Sequence, residues 1–100
     1  MAQDLNKKYP IGGYLSSDGF VVSTANQQIF PPTPSDWTAD TYVFKKLSFY
    51  NTQKCTIIIN EQHTIVLEAG VGFEVSRDDI PVESLVVVEA GIDYVWIGAY

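Results

Sequence analysis

His63 and Cys55 are the most reactive side chains in this sequence, and the chain has one residue of each type. Glu61 lies two residues before His63, so the pair would share a face of a strand. A zinc site needs three or four ligands, and the chain offers no second histidine or cysteine. A nucleophilic Cys55 would need a basic partner, which His63 alone could supply. The pattern favours a histidine on a polar rim and a small buried thiol.

Acidic residues cluster near residue 80. Asp78, Asp79 and Glu83 are the residue types that bind calcium. Their spacing does not match an EF-hand loop, and Arg77 adds an opposing charge. We therefore interpret them as solvated loop residues rather than as a calcium site.

Two further carboxylates, Glu68 and Glu89, lie at matching places in a repeat. Glycoside hydrolysis needs two carboxylates in a cleft at a defined separation, and residues at chain corners are usually exposed. The sequence contains no recognisable Ser-His-Asp set and no glycine-rich phosphate loop. We predict no catalytic residue, no metal ligand and no cofactor.

Aromatic residues alternate near the end of the sequence. Tyr94, Trp96 and Tyr100 would share one face of a strand, where they could stack against a sugar. The repeat places Phe73 and Val75 opposite Tyr94 and Trp96, which favours core lining. Tyr100 is the one we expect to be exposed.

Composition limits the class of partner. The 100 residues, 46% of them hydrophobic, suit a single small domain. The net charge is −6, and six Lys and Arg residues are too few for a nucleic-acid surface. No apolar run approaches the roughly 18 residues of a membrane span, and no targeting segment is visible. We expect no nucleic-acid or membrane partner and synthesis in the cytoplasm.

The elements that position these side chains centre on a repeat within residues 65–96. LEAGV at residues 67–71 is matched by VEAGI at residues 88–92, at an offset of 21 residues. Each copy predicts a strand, a Glu-Ala-Gly corner and a second strand. Gly70 and Gly91 would allow the positive φ that a tight corner often needs.

Strand signals continue from Tyr42 to the end of the sequence, with no helical period. The predicted strands cover residues 42–50, 55–59, 63–67, 71–75, 84–88 and 92–99. Short strands at this spacing predict an antiparallel β-sandwich or a jelly-roll-like small barrel over residues 42–100.

The first 41 residues differ in composition from the rest of the chain and predict an arm. Residues 1–9 are polar and predict an extended terminus. Asp18 and Gly19 predict the turn of a hairpin over residues 14–24. Most of the prolines lie before residue 35 and predict a semi-rigid connector. Trp37 would either cover the end of the domain or dock onto a neighbouring subunit.

The second copy of the repeat is apolar on both faces, unlike the first. Such strands either run through the middle of the domain or pack against another copy of the chain. The candidate interface residues are apolar and aromatic residues of the arm and of the second copy of the repeat. They are Tyr14, Phe20, Phe30, Trp37, Leu85, Val87, Val95, Ile97 and Tyr100.

Four stretches carry a resemblance to a known class. They are LSFYNT at residues 47–52, CTIIIN at 55–60, LEAG at 67–70 and the segment 86–100. They resemble the small β-sandwich proteins that tailed bacteriophages use as accessory head or tail components. The resemblance implies a non-enzymatic virion protein, present in several copies, whose arm reaches a neighbour. Its partners would be itself and other virion proteins, after synthesis in the host cytoplasm.

Two other functions remain open. A carbohydrate- or receptor-binding module would use exposed Tyr and Trp side chains to bind a glycan. A small cupin-like enzyme is suggested by glycine corners in a β chain, and it would need a metal centre.

Overall fold

A computed structural model describes residues 12–76 and 78–100. In these ranges the chain forms nine strands and no helix. The strands are β1 (Tyr14–Ser16), β2 (Val21–Val22), β3 (Gln27–Gln28), β4 (Lys46–Asn51), β5 (Cys55–Ile59), β6 (His63–Leu67), β7 (Phe73–Val75), β8 (Leu85–Val87) and β9 (Asp93–Ala99). The predicted all-β class is confirmed, whereas the extended terminus predicted over residues 1–9 lies outside the described residues.

The strands form two antiparallel sheets that enclose one core. Sheet 1 has the order β1–β9–β4–β7, with β2 also paired to β9, and sheet 2 has the order β3–β8–β5–β6. If β1 and β2 count as one interrupted strand, then β2–β3, β4–β5, β6–β7 and β8–β9 each connect one sheet to the other. This is the eight-stranded order of a jelly roll. The predicted sandwich of jelly-roll type is confirmed.

The repeat forms two arches that carry the chain from sheet 2 to sheet 1. Gly70 and Gly91 have φ of 75° and 80°, as the corner prediction required. The Gly70 N–H donates to the Asn51 carbonyl, and the Gly91 N–H donates to the Ser23 carbonyl, both at 2.8 Å. Because neighbouring strands are antiparallel, these four connections lie at one end of the sandwich, which we call the corner end. The β3–β4 and β7–β8 connections also pass between the sheets, at the opposite end.

Two buried polar side chains hold these arches. Asn51 donates its amide to the Gln53 and Glu68 carbonyls at 2.8 and 2.9 Å. Its Oδ1 accepts from the Gly72 N–H at 2.9 Å. Ser23 donates its hydroxyl to the Glu89 carbonyl, and the same oxygen accepts from the N–H of the residue after Gly91. Buried polar groups without such partners would be costly, so these bonds fix the corner geometry.

Alternate residues of the strands face the core, as expected for a two-layer sandwich. Phe44 lies at its centre, with ring centroids 4.5 Å from Phe30 and 5.5 Å from Trp96. The buried apolar residues come from both sheets and from the connections that follow β3, β7 and β8. They are Ile29, Phe30, Tyr42, Phe44, Leu47, Phe49, Cys55, Ile57, Ile59, Leu67, Val82, Leu85, Val87, Ile92, Tyr94 and Trp96.

The predicted hairpin over residues 14–24 is wrong. β1 and β2 do not pair with each other; both pair antiparallel with β9. They form one edge strand, interrupted by a short loop in which Gly19 has φ of 66°. The long strand β9 offers this segment an edge that buries part of Leu15 and Val21 against the core, which an isolated hairpin cannot do.

The predicted domain boundary at residue 41 is also wrong for the described part of the arm. β3 pairs with β8 in sheet 2, and Ile29 and Phe30 are buried in the core. Without these strands, β8 and β9 would each expose a bare edge. The prolines at positions 31, 32 and 34 lie in the irregular connection between β3 and β4, where the connector was predicted.

Candidate interaction surfaces

Cys55 and His63 do not form a nucleophile–base pair. Cys55 pairs with Leu67 and His63 pairs with Ile59, so they lie at opposite ends of the β5–β6 hairpin. Four residues along a strand span about 13 Å. Cys55 is buried, and this burial, followed by the nearby charge of Glu89, raises the pKa of its thiol. The protonated thiol packs as a core side chain.

The acidic loop uses one carboxylate to hold its own shape. Asp79 Oδ2 accepts from the Ser76 N–H at 2.8 Å, and its own N–H donates back to the Ser76 carbonyl at 2.9 Å. Within the two described ranges, no three His, Cys, Asp or Glu residues are grouped so that they could hold a metal ion. The interpretation of Asp79 as an ordinary loop residue agrees with these contacts.

The two repeat-related carboxylates contact residues at the start of β5. Glu89 accepts from the Thr56 N–H and hydroxyl, each at 2.7 Å. The backbone hydrogen bond from Thr56 is the main cause of the lowered pKa of Glu89. Glu68 lies 3.6 Å from the Lys54 ammonium in an exposed ion pair. Both carboxylates therefore tie their corners to β5 or to the residue before it.

Two of the three aromatic residues near the end of the sequence line the core, as the repeat predicted, whereas the third, Tyr100, is not exposed as expected. Tyr94 and Trp96 are buried, and Tyr100 is half-buried. The Tyr100 ring lies 5.6 Å from that of Trp37 and 4.9 Å from that of Tyr42. Trp37 thus covers the end of the sandwich opposite the corner end, which is one of its two predicted roles.

An apolar surface covers the outward side of sheet 1. Trp96 faces the core, so its neighbours Val95 and Ile97 face outward. Tyr50 pairs with Val95 across the sheet, and the Phe20 ring meets the Tyr50 ring edge-on at 6.3 Å. We call this surface the outer patch. It consists of Tyr14, Phe20, Val22, Tyr50, Val95 and Ile97.

The outer patch contains four of the nine predicted interface residues. Tyr14 is 77% exposed and Ile97 is 51% exposed, and Phe20 and Val95 lie with them. Tyr50 and Val22 were not predicted. Alternation along β4 could have identified Tyr50, because it follows the buried Phe49.

The other predicted interface residues belong elsewhere. Leu85 and Val87 are fully buried, with no exposed area, and Phe30 is also in the core. The prediction treated both strands of the second unit as one doubly apolar surface. The corner at Gly91 changes the alternation, so the apolar set of β8 faces inward while Val95 faces outward.

A second surface lies at the side of the sandwich where β6 and β7 are the edge strands. A groove of about 600 Å³ opens between them and the loop that follows β7. We call it the lateral groove. Its lining residues are Ile59, Asn60, Gln62, His63, Ile65, Phe73, Glu74, Val75, Asp79, Ile80, Val82 and Glu83.

Asn60 fixes one wall of the lateral groove. Its side-chain amide donates to the Pro81 carbonyl at 3.0 Å, and its Oδ1 accepts from the Glu83 N–H at 2.7 Å. The sequence carried no signal for this groove, because it depends on the distance between two sheet edges and on a nonrepetitive loop. His63 lies on its rim, away from the corner end.

No family model matches this chain, and comparisons with curated proteins and with solved structures find no match. The described part of the chain contains no helix long and apolar enough to cross a membrane. Function must therefore be argued from the two surfaces.

Proposed function

We propose that this chain is a non-enzymatic structural protein of a tailed-phage virion, an accessory head or tail component that assembles through the outer patch. The observation that carries the assembly role is the outer patch itself, which places Tyr14, Phe20 and Ile97 on one exposed sheet face. The location in a virion rests on the resemblance of residues 42–100 to phage accessory proteins.

The energetics of the patch favour a protein partner. Burying one large apolar side chain contributes about 1.5–3 kcal/mol, so several on one face can stabilise an association. Contiguous exposed apolar surface on a small domain commonly marks a protein–protein interface. Ser16 and Ser48, on either side of Ile97, leave a shallow depression of about 260 Å³ that a neighbouring side chain could fill.

The side chains of reactive type also support a non-enzymatic role, because each makes a structural contact. Cys55 is a core residue, Asp79 closes its own loop, and Glu89 holds β5. Each of these groups has a structural role that accounts for its position.

A charge in the outer patch tests the assembly role. We expect the native chain to sediment as a homo-oligomer and Ile97→Asp to sediment as a monomer, because the carboxylate would have to be buried. Val66→Asp is the matched control, since Val66 is 58% exposed on the outward side of sheet 2. A native chain that stays monomeric at about 100 µM, a concentration where micromolar complexes persist, would count against this role.

A carbohydrate- or receptor-binding module is the second candidate. Tyr14 and Tyr50 are exposed beside shallow depressions in sheet 1. Such rings offer a rigid apolar face with a polar tip. A glycan array probed with the native chain and with Tyr50→Ala tests it. Binding that is lost in the variant would support a glycan partner, and a silent array would dismiss it.

A further inference from the structure

The lateral groove has the composition of a site for an extended, partly basic segment. Its interior is apolar, with Ile65, Phe73 and Val75 half-buried along the two edge strands. Glu74, Asp79 and Glu83 supply its charge, and none of the described lining residues is a lysine or arginine. Charge complementarity therefore favours an occupant with lysines beside apolar side chains.

The strands beside the groove also have free edges. In the described ranges, β6 pairs with β5 alone and β7 with β4 alone. The second side of each edge strand presents backbone N–H and C=O groups that an added strand can pair with. An extended peptide would satisfy these groups and cover the half-buried apolar residues between them.

The sequence contains a segment with this chemistry. Residues 1–11 carry Lys7 and Lys8, directly followed by Tyr9, Pro10 and Ile11, with Asp4 the single carboxylate side chain. The net charge of the whole chain is −6, so this segment contrasts with the rest. Proline is compatible with an edge strand, where one side of the backbone makes no ladder hydrogen bonds.

We propose that residues 1–11 of one copy dock as an extended segment in the lateral groove of a second copy. This proposal rests on the proposed assembly function and names a second contact for it. Eleven extended residues reach at most about 36–40 Å, enough to enter a neighbouring molecule.

The fold favours a neighbour's groove over the chain's own. β1 begins on the far side of sheet 1, with β9 and β4 between it and β7. Between these edges, the end of the sandwich is covered by the packed rings of Trp37, Tyr42 and Tyr100. A segment returning to its own groove would have to cross this cluster. A second copy presents its groove without that obstacle.

A charge exchange in the full chain tests the proposal. One variant carries Lys7→Glu and Lys8→Glu, which reverse the charge of the segment. A second variant carries Glu74→Lys and Glu83→Lys, which reverse the charge of the groove. Each alone should weaken association at least tenfold in sedimentation velocity, and their equimolar mixture should regain association. Thermal unfolding confirms that each variant folds. Glu83→Lys alone replaces the double change if that variant unfolds, because Glu83 is an exposed loop residue.

Crosslinking provides the direct measurement. A carbodiimide joins a lysine to a carboxylate in contact, so a mixture of ¹⁴N and ¹⁵N chains should yield crosslinked peptides of mixed isotope from residues 1–11 and the groove. Crosslinks of uniform isotope without any of mixed isotope would show that the segment occupies its own groove and would overturn the proposal. So would native association in both reversed variants.

The outer patch is tested separately by Ile97→Asp. If that variant is monomeric while both charge-reversed variants associate normally, the assembly role stands and the docked segment fails. If mixed-isotope crosslinks form and Ile97→Asp assembles normally, the docked segment stands and the role of the outer patch fails.

Discussion

Asn51 and Ser23 occupy equivalent places beneath the two Glu-Ala-Gly corners. Each accepts the corner glycine N–H on its backbone carbonyl, and each donates from its side chain to the carbonyl of the corner glutamate. The repeat in sequence is thus matched by a repeat in hydrogen bonding. Asn51 ends β4 and Ser23 directly follows β2, two strands of sheet 1 that are unrelated in sequence.

Removing the Asn51 amide should destabilise the fold. Asn51→Ala would leave the part-buried Glu68 carbonyl and Gly72 N–H without these partners. Each unsatisfied buried group costs about 1–3 kcal/mol, so we expect a loss of about 3 kcal/mol in the free energy of unfolding. Urea denaturation measures it. Ser48→Ala, on the exposed face of β4, is the control and should change stability by less than about 0.5 kcal/mol.

Two glycines should respond differently to a methyl group. Gly91 has positive φ but open space around a built Cβ, so Gly91→Ala should cost about 1 kcal/mol from backbone strain. A Cβ on Gly98 would lie 2.5 Å from Cδ1 of the buried Phe44, so Gly98→Ala should cost about 1–3 kcal/mol. Adding Phe44→Leu should recover part of the second loss and none of the first. If Phe44→Leu recovered the same amount of stability with Gly91→Ala as with Gly98→Ala, a clash with Phe44 would not explain the loss at Gly98.

The β5–β6 turn contains a position that should accept glycine with a gain in stability. Asn60 and Glu61 both have positive φ, at 52° and 60°. Asparagine tolerates this region better than glutamate, and glycine removes the strain. We expect Glu61→Gly to raise the free energy of unfolding by about 0.5–1 kcal/mol in urea. Gln62→Gly, one residue on, should lower it or leave it unchanged.

Glu89 should make stability depend on pH. Its pKa in the folded protein is lowered from 4.5, chiefly by the Thr56 N–H. The ionised carboxylate therefore contributes to the stability of the fold above pH 4.5. This contribution is lost as the pH falls below about 4.5 through the lower folded pKa. Glu89→Gln should therefore show a smaller fall in melting temperature between pH 7 and pH 3. Glu68→Gln, which removes an exposed ion pair, is the matched control.

Local patterns predicted the second part of the sandwich well. β5 and β6 match the predicted strands to the residue, because a run of apolar side chains on each side of a polar turn suits a hairpin. The corners at Gly70 and Gly91 were predicted because positive φ has a clear preference for glycine. Both signals depend on neighbouring residues alone.

Contacts between distant residues were predicted poorly. Leu15 pairs with Gly98, and Gln28 pairs with Val86, but nothing in either segment specifies its partner. The Asp18–Gly19 turn signal predicts a hairpin, because local sequence does not reveal that β9 offers a better edge. The lateral groove depends on the spacing of two sheets, so the residues that form it carry no common pattern.

The position of β9 has a consequence for how the molecule acquires its fold. β9 pairs with β1, β2 and β4, although β1 lies more than eighty residues earlier in the sequence. Sheet 1 therefore cannot be completed during synthesis until this late strand has left the ribosome. Pairing at such separation slows folding, because the chain loses the entropy of closing a long loop before the contact can stabilise it. We expect folding in milliseconds to seconds, with β9 closing sheet 1 in a late step.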